Sequence, residues 1–133
     1  NQPGMVPIQT LDNLIYFPDM MPTLAALAKG TKHLPKQING INILPLFYGK
    51  QVDTDNRLLY WEFPGKQRAA RKGDWKCVTI HPNQPLELYN LKEDPEETNN
   101  LAKKYPRRVK EFDEEMQRMH IPTPNWPQPG EQF

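Results

Sequence analysis

The stretch LELYNLKEDPEETNNLAKKYP, residues 86–106, joins an extended segment of the chain to a helical one. Its first residues alternate between apolar and polar side chains, which is typical of a strand with one buried face. The pair Asp94–Pro95 ends this pattern, and Thr98 or Asn99 can cap a short helical turn after it. We therefore interpret the acids and amides of residues 92–100 as turn and cap residues, not as a catalytic pair.

An apolar stripe crosses the proline that ends this stretch. Its members recur every three or four residues, which is the pattern of a helix lying on a sheet, and proline is accepted at the first position of a helix. The spacing predicts a helical segment over residues 98–119, with Val109, Phe112 and Met116 buried against the sheet around Trp61, Trp75 and Leu88. A Pro-rich extended tail is predicted over residues 120–133. The stripe consists of Leu101, Tyr105, Val109, Phe112, Met116 and Met119.

Upstream, residues 57–90 hold the strands of the predicted sheet. The segment RLLYWEF (57–63) is rich in aromatic residues and is followed by a Pro-Gly turn. QRAARKGDWKCVTI (67–80) predicts a hairpin, in which Gly73–Asp74 suits a tight turn that needs positive φ. With residues 86–90 as a fourth strand, these short sequential segments predict an antiparallel meander.

Residues 1–50 are predicted to form a lead-in and a helix. Asp19 can cap a helix over about Met20–Lys29, and Gly30 is a natural stop. One face of this helix is apolar through Leu24, Leu27 and Ala28. The predicted fold class is thus α+β, a small four-stranded antiparallel sheet packed against a C-terminal helix, with an N-terminal helix and the extended tail. We assign residues 1–133 to one domain.

Composition excludes several function classes. Seventeen basic residues against sixteen acidic ones leave a net charge of +1, so there is no basic footprint for nucleic acid and no reason to expect a membrane surface. The chain has no serine and one cysteine, Cys77, which excludes a Ser-His-Asp nucleophile, an internal disulfide and a Cys-rich metal site. We expect Cys77 to be a buried core thiol, because it alternates with hydrophobic residues in a predicted strand.

No metal site is predicted. Asp53 and Asp55 match the first two ligands of an EF-hand loop, but Leu58 replaces its glycine and Pro64 its bidentate glutamate. The three histidines are far apart in the sequence and are expected at the surface, without the spacing of a helical metal site; they are His33, His81 and His120.

The predicted hairpin and its flanks concentrate basic side chains, and two interpretations remain open. The cations can contact an anionic ligand, since arginine binds anions with a two-pronged fork. Alternatively, they belong to an ordinary exposed hairpin, balanced by Asp74 and Glu62. The cations are Arg57, Lys66, Arg68, Arg71, Lys72 and Lys76.

Three segments, taken in order, resemble the C-terminal subdomain of arylsulfatase-type sulfatases, in the alkaline-phosphatase-like superfamily. DMMPTLAALAKG with INGINILPLFYGK (19–50) resembles the family's Asp-x-x-Pro-Thr-Leu helix and following Leu-Leu-Pro-Leu. LLYWEF with QRAARKGDWKCV (58–78) resembles its Arg-x-Gly-Asp-Trp/Tyr-Lys hairpin. LELYNLKEDPEETNNLA (86–102) resembles its Glu-Leu-Tyr-Asp/Asn-Leu-x-x-Asp-Pro-x-Glu-x-x-Asn-Leu signature.

The resemblance implies a parent protein that hydrolyses sulfate esters, a sulfuric ester hydrolase. Such enzymes use a formylglycine, made in a Cys/Ser-x-Pro-x-Arg motif, and a calcium ion. Val78 to His81 follow Cys77, so this motif is absent here. We therefore expect no catalytic residue, no metal and no cofactor in this chain, and an inactive chain when isolated. Calcium and formylglycine are expected in an N-terminal catalytic domain, the partner of this chain, and a periplasmic or extracellular parent is expected.

The resemblance also implies that the turn between the first two strands approaches the mouth of the active site. This turn, EFPGKQR, carries the predicted substrate-binding residues Glu62, Lys66, Gln67 and Arg68. The substrate of the parent would be a sulfated small molecule or sugar. The alternative function is a non-catalytic binding or interaction module that uses the basic hairpin.

Overall fold

The computed structural model describes residues 9–63, 67–81, 84–125 and 132. The chain divides into two compact units, Asn1–Asn56 and Arg57–Phe133. The helices are α1 (Met20–Leu27), α2 (Leu44–Phe47) and α3 (Pro106–Met119), with short 3-10 turns at Phe17–Asp19 and Thr31–His33. The strands are β1 (Leu59–Phe63), β2 (Gln67–Lys72), β3 (Trp75–Thr79) and β4 (Glu87–Asn90).

The second unit contains one four-stranded antiparallel sheet in the order β1-β2-β3-β4. Lys72 pairs with Trp75 and leaves a two-residue turn between β2 and β3. Gly73 in this turn has a φ of 55°, a conformation that glycine adopts without a steric cost. The predicted α+β fold with its meander is confirmed.

The core lies between the sheet and α3. Ala70, Cys77 and Leu88 face one another across three strands, and each has an exposed fraction of 0%. Phe112 and Met116 of α3 pack against them, since small side chains on the middle strands leave room for the helix. The central part of the predicted stripe is therefore confirmed.

Three parts of that prediction are wrong. Trp61 lies on the opposite face of the sheet, because its neighbour Tyr60 pairs with Ala70 of the core, and it is 42% exposed. Two members of the stripe, Tyr105 and Met119, are exposed. The segment over residues 98–105 forms turns instead of helix, whereas the start of a new helix at Pro106 is confirmed.

Side chains in the stretch before α3 explain why it is not helical. The Asp94 carboxylate accepts hydrogen bonds from the backbone N–H groups of Thr98 and Asn99 at 3.1 and 2.8 Å. The Asn100 Oδ1 atom accepts from the N–H groups of Leu88 and Ala102 at 3.2 and 2.9 Å. The turn interpretation of these acids and amides is confirmed, but the residues that accept the bonds are Asp94 and Asn100, not Thr98 or Asn99.

In the first unit, Asp19 is a buried anchor. Its carboxylate accepts hydrogen bonds from the N–H groups of Tyr16 and Ile41 at 3.0 and 2.9 Å, and it makes no side-chain capping bond to α1. The predicted cap is therefore wrong, because the carboxylate holds the chain around residue 41. At the neighbouring Gly40 an added Cβ atom would lie 1.9 Å from the carbonyl oxygen of Pro18. Only glycine fits there.

Helix α1 also differs from its prediction. It ends at Leu27, and the left-handed residue at its end is Lys29 (φ 57°), while Gly30 has a φ of −104°. The apolar face is exposed, with Leu24 at 59% and Leu27 at 58%. The buried residues of the helix are instead Pro22 and Thr23, whose hydroxyl accepts from the N–H of Ile43.

Candidate functional site

The predicted substrate-binding residues flank the connection between β1 and β2. Glu62 of β1 lies opposite Arg68 of β2 in the register, and Phe63 lies opposite Gln67. Alternation therefore puts Glu62 and Arg68 on the face that α3 covers and Gln67 on the other face. Lys66 lies outside the described residues.

The Glu62 carboxylate is largely buried. Its Oε1 atom lies 2.5 Å from Nδ1 of His120, the residue that follows α3, and it accepts a hydrogen bond from the hydroxyl of Tyr60. The side chains of Glu62 and His120 are 17% and 12% exposed. Burial raises the pKa of Tyr60 above its usual range, and the hydrogen bond and charge of Glu62 add to this effect.

Arg68 forms an ion pair with Asp113 of α3. The distance between its Nη2 atom and Oδ1 of Asp113 is 3.6 Å, and both side chains are partly exposed. Together with Tyr60, Glu62 and His120, these two residues form a polar layer between the sheet and the second half of α3. We call these five residues the polar layer. Two of the four predicted residues therefore hold α3 to the sheet.

Sequence reasoning missed two members of the polar layer. His120 was expected at the surface with His33 and His81; this is right for the other two but wrong for His120. Asp113 was not singled out. Its position beside the apolar stripe, at the side of the helix nearest the sheet, is the signal that could have found it.

Two other cations of the hairpin, Lys76 and Arg71, are also used within the fold. Lys76 lies 2.6 Å from Glu97, and the Nε–H of Arg71 donates to the carbonyl of Gly73 at 3.0 Å. These partners favour the interpretation of a charge-balanced hairpin over that of a ligand-binding one.

The remaining candidate groups offer no catalytic chemistry. Burial raises the pKa of Cys77 to about 12, so the thiol is protonated at neutral pH, as expected for a core residue. Asp53 accepts hydrogen bonds from the side chain and backbone of Asn56, which lower its pKa and make a local turn. Among the described residues, no group of three or more histidine, cysteine or acidic side chains is placed to hold a metal ion. None of the described helices is long and apolar enough to span a membrane.

Comparisons with known proteins agree with this fold. A family model described as N-sulphoglucosamine sulphohydrolase, C-terminal, matches residues 2–121. An uncharacterised protein of Haemophilus influenzae is 32% identical over 92% of this chain and 67% of its own length. Arylsulfatase K of Gallus gallus is 29% identical over 84% of this chain, but over only 23% of its own length.

Solved structures give the same result. A 2-O GAG sulfatase is 29% identical with a TM-score of 0.57, over 75% of this chain and 24% of its own. A Bacteroides thetaiotaomicron protein, described with the metabolism of multiple glycosaminoglycans, is 27% identical with a TM-score of 0.61 over the same shares. This chain thus spans about a quarter of the sulfatases that it matches, and it belongs to the N-sulphoglucosamine sulphohydrolase C-terminal family, the C-terminal part of sulfatases.

Proposed function

We propose that this chain is the C-terminal part of an enzyme that hydrolyses sulfate esters, and that the reacting groups lie in a catalytic part outside it. The observation that carries the proposal is the family match over residues 2–121. This chain covers only about a quarter of the length of the sulfatases that it matches. This supports separate roles for the two parts, in which this part completes the fold and lines the substrate entrance while the other part carries the reacting groups.

The calcium ion and formylglycine of such an enzyme would belong to the catalytic part. The residues described here do not fit either group. Cys77 is enclosed in the core and is not followed by the modification motif, and no cluster of metal ligands occurs among the described residues.

We further propose that the exposed face of α1 docks on the catalytic part. Phe17, Met21 and Leu24 are 87%, 56% and 59% exposed, and with Leu27 they recur every three or four residues along one side of the helix. A groove of about 560 Å³ lies beside them and is lined in part by Ile38. Contiguous apolar surface of this kind marks an interaction site in soluble proteins.

For the substrate entrance, we propose different roles for the four predicted residues. Glu62 and Arg68 are positioning residues, because their side chains contact His120 and Asp113. Gln67 and Lys66 are the residues proposed to meet a sulfated sugar or small molecule. Gln67 supports this role by its place at the start of β2, on the face away from α3.

The experiment compares the full-length protein that contains this chain with the chain alone. We expect the full-length protein to release sulfate from a small aryl sulfate and the chain alone to release none. Turnover by the isolated chain above a heat-treated control would contradict the proposal, and so would a correctly folded, formylglycine-bearing full-length protein that cleaves no sulfate ester.

The same assay tests the hairpin with Gln67→Ala in the full-length protein. We expect a lower kcat/KM on a sulfated oligosaccharide and an unchanged value on the small aryl sulfate, which is too short to reach the turn. If the Gln67→Ala variant had the wild-type kcat/KM on both substrates, the turn would have only a structural role. Gln67 is the better choice than Arg68, whose loss also breaks the contact with Asp113.

A further inference from the structure

A stack of cations and aromatic rings lies where α3 begins. The rings of Trp75 and Tyr105 meet edge to face, with centroids 5.3 Å apart and an interplanar angle of 76°. The guanidinium carbon of Arg108 lies 4.4 Å from the centroid of Trp75, and Nζ of Lys104 lies 5.3 Å from that of Tyr105. We call these four residues the cation–aromatic stack.

The positive charges of this region have no acidic partner among the residues that the structure describes. Lys103, Lys104, Arg107 and Arg108 fall within six consecutive residues, and all four are exposed. None of them forms an ion pair with another residue of the described ranges 9–63, 67–81 and 84–125. Glu111, on the next turn, is the acid nearest to them along α3, so the region keeps a net positive charge.

The charge order along α3 is opposite to the one that favours a helix. Acidic side chains stabilise the first turn and basic ones the last turn, yet the first turn of α3 has no acid and contains Arg107 and Arg108. The acids of the helix come later, at residues 111 and 113–115. Sequences break such local rules chiefly where a function requires it, and the function that suits these charges is anion binding.

The stack also borders an open pocket. Its volume is about 340 Å³, and its lining includes three cations, Lys104, Arg107 and Arg108, the ring of Tyr105 and one acid, Glu111. This size lies at the lower end of the range of ligand pockets. Arg108 lies over the ring of Trp75 and is exposed, and a guanidinium can bind an oxyanion through two hydrogen bonds.

We propose that the cation–aromatic stack, with Lys103 and Arg107, binds a sulfated polysaccharide, and we call these six residues the patch. The cations pair with its sulfate groups, and the exposed part of Tyr105 packs on a sugar ring. The choice of this polymer over other polyanions rests on the proposed sulfate-ester function.

The test measures the Kd of the full-length protein for a heparin oligosaccharide by titration calorimetry at several salt concentrations. We expect Arg107→Gln with Lys104→Gln to weaken binding by about tenfold or more, and to flatten the salt dependence, as loss of two charge contacts should. The matched control is Lys32→Gln with Lys36→Gln, which removes the same charge from exposed positions in the first unit and should leave Kd unchanged. Arg108 is kept in both proteins, so that its packing on Trp75 is intact.

A second variant separates specific contacts from general charge attraction. Arg107→Lys with Arg108→Lys keeps the charge but loses the planar forks, and we expect it to bind heparin clearly less well than wild type. The proposal would be overturned if Arg107→Gln with Lys104→Gln and the control Lys32→Gln with Lys36→Gln lost the same amount of heparin affinity. A patch-dependent affinity for poly-glutamate or single-stranded DNA that matches the affinity for heparin would also overturn it.

Aryl sulfate turnover, measured on the same proteins, separates the two proposals. The patch variant should cleave a small aryl sulfate like wild type. If heparin binds through the patch but no sulfate ester is cleaved, the proposed function fails and the binding site stands. If sulfate is released and the patch variant binds heparin normally, the binding site fails.

Discussion

At the residue scale, two reactive side chains, the Glu62 carboxylate and the Cys77 thiol, are buried in the fold. From the sequence alone, either could be taken for part of a binding or catalytic site. The Glu62 carboxylate, at a predicted substrate turn, contacts Tyr60 and His120 instead of pointing into solvent. The Cys77 thiol has no exposed surface and lies between Ala70 and Leu88 in the register. Both groups stabilise the contact between the sheet and α3.

The Cys77 thiol leads to a prediction about reactivity and pH. The pKa is about 12 in the folded chain against a reference value of 9.0, so its contribution to stability is complete below pH 9 and is lost as the pH rises from about 9 towards 12. We expect a thiol reagent to label the native chain only slowly at pH 8 and at once in denaturant. Fast labelling of the native protein would contradict the burial of this residue.

At the element scale, α3 is held by a short central segment. Phe112 and Met116 are buried against the sheet, and the Arg68–Asp113 and Glu62–His120 contacts lie beside them. The first turn of α3 contacts the sheet through Arg108 on Trp75. The helix thus combines an apolar anchor with polar contacts towards both of its ends.

The prediction at this scale is the loss of the apolar anchor. Phe112→Ala should lower the free energy of unfolding by about 3–5 kcal/mol, because the ring is only 5% exposed and its removal leaves a cavity. Met119→Ala, at the exposed end of the same stripe, is the control and should cost far less. The measurement is chemical denaturation followed by tryptophan fluorescence. Similar midpoints for the two variants would mean that α3 does not dock through Phe112.

The sequence predicted those features that depend on interactions between residues close together in the chain. The two-residue turn at Gly73 and the central part of the α3 stripe follow from short-range sequence rules, and the structure has both. In β4, however, the neighbours Leu88 and Tyr89 are both buried, so burial does not alternate there. The roles of Asp19 and Asn100 could not be predicted, because each side chain binds backbone groups far along the chain, at Ile41 and Leu88. The same holds for Glu62, whose partner His120 is 58 residues away; no spacing rule encodes such a pair.

At the scale of the whole molecule, the two units differ in the contacts that stabilise them. The second unit encloses its core between a sheet and a helix. The first unit buries Leu14, Ile43 and Leu46 and is held by side-chain to backbone bonds of Asp19, Thr23 and Thr54. It leaves one side of α1 exposed. A unit of this kind is expected to gain much of its stability from a partner.

The corresponding prediction concerns Leu24→Asp with Leu27→Asp. Burying a leucine contributes about 1.5–3 kcal/mol, so the two aspartates should lower the melting temperature of the full-length protein by several degrees. The isolated chain of the same variant should melt at an unchanged temperature and should bind less hydrophobic dye, because this face is already exposed there. Lys32→Asp, a charge change at an exposed position after α1, is the control. An unchanged melting temperature of the full-length variant would show that this face does not dock.

The contacts that hold residues 100–101 on β4 also limit how copies of this chain can associate. Asn100 and Leu101 take up the N–H and the carbonyl of Leu88, which β4 would otherwise offer to an incoming strand. An open strand edge is the usual starting point for aggregation by strand addition. The stretch over residues 86–102 therefore covers part of the β4 edge. We expect the side chain of Asn100 and the backbone N–H of Leu101 to oppose strand addition by another copy of the chain, in addition to shaping the turn.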